Sequence, residues 1–226
     1  MPFMWLVLLV AVVLVIIFAL ASGARRKTQQ SLELVFQQAG LVRQDNPFSS
    51  GSDFRWHPFS QLPVLKGGAK RVTWAAAGSI DGCDLVAIEH QYVVSTGQVT
   101  TFITHTAVAC RCPAFWPSID LKPETVFHRL ADRLGHGDVE LESDRFNRRW
   151  RVKTSDPDLA LGILTPEAQA MLENVPRAET WSIGQGWVRV VRRSGIKPED
   201  LYAYLRRPVD LLELVPPEMR VDAPRA

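Results

Sequence analysis

The sequence predicts an α+β protein: an N-terminal transmembrane helix followed by an antiparallel-sheet domain with packed helices. Three observations lead there. No charged side chain occurs from Met1 to Ala24, although charged residues make up 22% of the 226-residue chain. Long runs rich in Val, Ile, Thr, Tyr and Phe follow, joined by Gly-containing turns, which is the pattern of an antiparallel meander. Helical patterns then fall between and after the strands without the regular alternation of a doubly wound sheet. The expected organisation is an anchor over 1–24, a juxtamembrane helix and linker over 25–53, and a globular α+β domain over 54–226.

The anchor is the aliphatic and aromatic run from Phe3 to Ala21. At ~1.5 Å per residue, about 20 residues cross a hydrocarbon core about 30 Å thick. Ala19-Leu20-Ala21 also fits a small-x-small cleavage site. A signal peptide, however, has a basic segment ahead of a shorter apolar core, and here no Lys or Arg precedes the run. Arg25-Arg26-Lys27 follow it directly. Basic flanks are retained on the cytoplasmic side, so the N-terminus is expected outside and the domain in the cytoplasm. The same triplet can pair with anionic headgroups, making the lipid bilayer the first expected partner.

From Thr28 to Gly40, Leu32, Val35, Phe36 and Ala39 recur at helical spacing, with Gly40 placed as a left-handed cap. Such a helix packs on the domain in preference to lipid, because its polar face is Gln-rich and not basic. Residues 44–53 read as a linker by composition, so the domain is expected to start near Phe54. Strands are predicted at 71–77, 84–94 and 99–112. A helix is predicted from Pro123 to Leu134, with Gly135 as its stop. Another strand is predicted over Phe146–Val152. Thr165-Pro166-Glu167 is a helix start with a capping hydroxyl, Pro at the first position and an acid suited to the helix dipole. Trp181 to Val191 reads as a hairpin turning at Gly184-Gln185-Gly186. A last helix starts at Pro198, buries Leu201, Tyr204 and Leu205, and is expected to be interrupted at Pro208 on its way to Val215.

The segment Glu142–Leu172 carries a resemblance. Phe146-Asn-Arg-Arg-Trp-Arg-Val152, then Ser155-Asp156-Pro157, then Ile163-Leu164-Thr165-Pro166 resembles a family of uncharacterised bacterial membrane-anchored proteins. These show a Phe-Asn-x-x-Phe-x-Val strand followed by a Leu-Thr-Pro helix start, with Trp150 here in place of the usual Phe. The resemblance covers about half of the chain. It implies membrane attachment and an α+β domain, and no activity, cofactor or site residue.

Composition narrows the function further. A net charge of +2 is too small to point to nucleic acid. Three cysteines, Cys83, Cys110 and Cys112, are too few and too odd for a disulfide scaffold. Cys110 and Cys112 would share a strand face. A structural zinc needs four ligands, and the candidate completions are Cys83 and His105, the latter on the opposite face. Glu89 and His90 are adjacent on a strand and so point apart. His57, His128 and His136 form no metal-spaced pattern. Gly184-x-Gly186 lacks the third glycine and the following helix of a dinucleotide site. No cofactor and no small-molecule substrate is indicated.

The best candidate surface is the basic stripe Arg149, Arg151 and Lys153, together with Arg25, Arg26 and Lys27, for lipid or a protein partner at the membrane. Arg192, Arg193, Arg206 and Arg207 add to the basic inventory. The sequence thus points to a single-pass, non-catalytic membrane-tethered binding or scaffold domain. The alternative is a metal- or thiol-dependent membrane-anchored enzyme using Cys110 and Cys112.

Overall fold

The structure, a computed structural model, describes residues 26–44, 57–60, 71–95, 97–124, 141 and 143–221, with isolated positions at 13, 16, 19, 22 and 23. Most of the expected anchor lies outside the described residues, as do Arg25, the body of the linker and the body of the helix expected to Leu134. Among the described residues no helix is long and apolar enough to cross a membrane.

Helix α1 (26–38) places Leu32, Phe36 and Ala39 in the core and ends at Gly40, whose φ of 70° is the expected left-handed cap. β1 (Leu41–Arg43) follows at once, pairing with β2 through Leu41 and Gly78. Helix and strand therefore belong to the domain's own core, which begins well before Phe54. Next come the short α2 (His57–Ser60), β2 (Arg71–Ile80), β3 (Cys83–Ser95), β4 (Thr100–Arg111) and β5 (Ile119–Pro123). Asp81 and Gly82 both have positive φ, 49° and 79°, the geometry of a two-residue primed turn between β2 and β3.

The chain continues through α3 (Asp144–Asn147), β6 (Trp150–Thr154), α4 (Pro157–Ile163), α5 (Pro166–Asn174), β7 (Glu179–Gly184), β8 (Trp187–Arg192), α6 (Pro198–Leu214) and α7 (Pro217–Arg220). The eight strands form one antiparallel sheet in the order β1-β2-β3-β4-β8-β7-β5-β6.

Three expectations are corrected. Pro123 ends a strand and does not open a helix: Ile119 and Leu121 face the core while Asp120 and Lys122 face out, a period of two. Phe146 and Asn147 are helical, so the strand expected over Phe146–Val152 starts only at Trp150. Ser143 caps that helix through Phe146 N, and the Asn147 amide closes two bonds with the Leu141 backbone, at 2.6 and 3.1 Å. Pro208 sits inside α6 without interrupting it. Buried Leu201, Tyr204, Leu205, Val209, Leu211 and Leu212 hold both sides of the proline against the sheet, offsetting a helix-interior cost of about 3 kcal/mol.

One sheet face carries the main core. Ala76, Ala87, Val108, Val190, Trp181, Leu121 and Val152 follow one another across the registers and are covered by α1, α5 and α6. The Tyr204 hydroxyl donates to Thr106 O at 2.8 Å and lies 3.2 Å from Val190 O, locking α6 to the sheet centre. The resemblance motif is absorbed by this core. Phe146 and Trp150 are buried, the Trp150 indole donates to Leu172 O at 3.0 Å, and Thr165 caps α5 through Ala168 N at 3.2 Å.

Candidate functional site: an open basic sheet face

The opposite face divides in two. Over β2, β3 and β4 it is mostly small and aliphatic, with Ala75, Ala77, Val86, Ile88, Ala107 and Ala109 buried with Phe59 of α2 and Trp187 at the start of β8. Over β8, β7, β5 and β6 it is polar. Alternation puts Arg189 and Val191 of β8, Thr180 and Ser182 of β7, Asp120 and Lys122 of β5, and Arg151 and Lys153 of β6 on this side.

The registers order these residues into rows. Arg189 lies opposite Ser182, Ser182 opposite Asp120, and Asp120 opposite Lys153. One step along, Lys122 lies directly opposite Arg151. Like charges facing each other across a strand pair are unfavourable, by about 0.2–1 kcal/mol. Four cations, Arg189, Lys122, Arg151 and Lys153, thus lie around Asp120 on this half of the face, with Glu124 just past the end of β5.

A cleft of about 710 Å³ opens here, between the Trp116–Ser118 loop and the strands, with Asp120, Lys122, Ser182 and Arg189 in its wall. Burial pulls the Arg189 pKa below its ordinary value, Asp120 acting the other way, and its Nε has no hydrogen-bond partner. At the rim the Arg111 guanidinium stacks 4.4 Å above the Trp187 ring.

The predicted stripe is only partly brought together. Arg151 and Lys153 share the open face. Arg149 stands in the turn before β6, where its guanidinium donates to the Val175 carbonyl and burial lowers its pKa, with Arg177 adding to the effect. Arg206 and Arg207 are spent on ion pairs, Arg206 with Asp81 and Asp210, and Arg207 with the fully buried Glu179. Arg26 and Lys27 are exposed at the start of α1.

Burial disfavours the thiolate at two of the three cysteines, Cys110 and Cys83. Burial raises the Cys110 pKa well above its usual value, followed by the neighbouring Cys112 and Cys83. Burial, then Glu213 and Asp81, raises that of Cys83. A nucleophilic or metal-binding cysteine needs the opposite shift. Among the described residues no three His, Cys, Asp or Glu side chains gather to hold a metal. His90 stacks on His105 at 5.4 Å between centroids, and His105 on Tyr92 at 5.6 Å. Glu89 projects to the other side, where burial raises its pKa.

The sequence matches no family model and no curated protein. One solved structure does match. The mycobacterial trehalose monomycolate transport factor A aligns with a TM-score of 0.50 and 14% identity, over 85% of this chain and 98% of that chain. At that identity the likeness is one of fold. Alternation in Ile-Asp-Leu-Lys and Trp-Val-Arg-Val-Val does not by itself bring the cleft residues Lys122, Asp120 and Arg189 together. What was missing was the β5–β7 pairing that sets them side by side.

Proposed function

We propose that the protein is a non-catalytic, membrane-tethered accessory domain whose open sheet face holds an acidic segment of a protein partner. The observation that carries this reading is the Lys122–Arg151 opposition beside Arg189 and Lys153, four cations gathered on a face that the described residues leave open. A partner's carboxylates relieve that repulsion and satisfy the Arg189 Nε. The tether is the uncharged run over 1–24 with Arg25, Arg26 and Lys27 at its end, which places the domain on the cytoplasmic side. The five described positions within that run are helical, and Val13 and Ile16 are exposed. The resemblance to bacterial membrane-anchored proteins is in keeping with the tether. The mycobacterial protein of like fold is named as a transport factor, a name that belongs to that protein alone and suits an accessory role.

The test uses the full chain in lipid nanodiscs and a fluorescent Glu-rich peptide as probe. Binding is expected, weakening with salt and falling about 10-fold or more in a Lys122→Gln, Arg151→Gln, Lys153→Gln variant, if each exposed contact is worth about 0.5–1 kcal/mol. Equal affinity in the variant would remove this face from consideration. Reporters fused after Ala226 test the side of the membrane, with a signal from the cytoplasmic reporter alone as the expected result.

A further inference from the structure

The hairpin of β3 and β4 extends beyond its neighbours. Among the described residues β2 reaches only to Gln91, and β8 only to Thr106. From Tyr92 to Ser95 and from Thr100 to His105 the two strands pair with each other alone among the described strands. No charged residue occurs between Gln91 and Thr104. The ribbon instead presents apolar side chains to solvent, with Phe102 at 67% and Val93 at 47% exposure, joined by Val94 and Val99. Exposed apolar side chains on both faces of a ribbon tip, Val93 and Phe102 on one and Val94 on the other, make a surface that ordinarily has a partner.

The packing of α1 indicates which partner. Its C-terminal cap lies at the β2–β3 turn, with Gly40 against the Ser79 carbonyl and Leu41 opposite Gly78. Phe36 packs on Trp74, 5.4 Å between centroids, and Trp74 pairs with Glu89. Going back along the helix therefore means going along β3 towards the hairpin tip. From Phe36 to Arg26 the helix climbs about 15 Å more. From Glu89 to Ser95 the strand climbs about 20 Å. Arg26 and Lys27, at the start of the described helix, thus stand at the same end of the domain as the tip. Arg193, exposed and within Coulombic range of His105, stands at the ribbon's base.

We infer that the β3–β4 tip is a second membrane contact: Val94, Val99 and Phe102 enter the lipid interface beside the N-terminal helix. The inference rests on the tethered reading above. The open basic face then stands on the flank of the domain, clear of the bilayer.

The test uses the full chain in vesicles, in a Cys83→Ser, Cys112→Ser background that leaves buried Cys110 in place. A bimane label goes on Gln98→Cys at the tip, or on Asp84→Cys at the other end of β3, and the vesicles contain lipid with a nitroxide on the acyl chain. Flotation with the vesicles reports the tether. Quenching at Gln98→Cys several-fold stronger than at Asp84→Cys is the expected result, reduced when Phe102→Glu and Val94→Glu are added. Flotation with equal quenching at both sites overturns the inference and leaves the tether standing. Flotation without quenching of the labelled protein, while the unlabelled Gln98→Cys variant is crosslinked to a disulfide dimer by an added oxidant, assigns the tip to a second copy and likewise overturns it. Failure to float removes the tether and the inference together.

Discussion

The two halves of the face opposite the main core are built on the same strands' alternation and end in opposite chemistry. Over β2–β4 the outward positions are Ala, Val and Ile, closed by Phe59. Over β7, β5 and β6 they are Thr, Ser, Asp, Lys and Arg, joined by Arg189 of β8, and the described residues leave them open. A sheet between two apolar layers gains stability from both faces. A sheet with one polar face gives up the second layer and keeps a surface for recognition. Stability and binding are therefore assigned to different halves of one surface.

The largest expected effect breaks the closed half. Ile88→Ala removes a fully buried side chain between β2 and β4 and should cost about 2–5 kcal/mol. Ser182→Ala on the open half should stay within about 0.5 kcal/mol. Denaturant unfolding of the purified full chain compares them, and equal losses would refute the division.

A pH effect comes next. His105, on the closed half's margin, has its pKa lowered by burial and then by Arg193. A histidine with a depressed folded pKa binds its proton more readily when unfolded. Stability is then fully present above the unfolded value near 6.5 and is lost as pH falls through that value towards the folded one. Melting followed from pH 8 to pH 5 should show this loss, and His105→Phe should flatten it.

The smallest effect sharpens the comparison. Lys122→Gln removes a like-charge opposition with Arg151 and should raise stability by about 0.2–1 kcal/mol while weakening the Glu-rich peptide. A substitution that stabilises the fold and impairs binding marks the open half as a surface kept for a partner. Lower stability in this variant would mean that Lys122 serves the fold.

Much of this architecture is written locally. Thr165-Pro166-Glu167 opens α5, Gly184-Gln185-Gly186 turns the β7–β8 hairpin with Gln185 at φ 55°, and Gly40 ends α1. Each depends on a few neighbouring residues whose backbone preferences agree. β1 and β5 escaped notice because strands of three and five residues have too little alternation, and exist through their partners. Phe146-Asn147 was read as strand because its helix is held by Asn147 reaching back to Leu141, a bond that no periodicity records.

Sequence by itself determined the apolar first segment, the α+β class, the meander and the buried aromatics Phe146 and Trp150, because burial and turn chemistry act over short spans. Tertiary structure alone decided the strand order, the cleft and the company of Lys122, Asp120, Arg189, Arg151 and Lys153. These residues come from strands distant in the chain, and hydrogen-bond register, which is set only on folding, brings their side chains to one face.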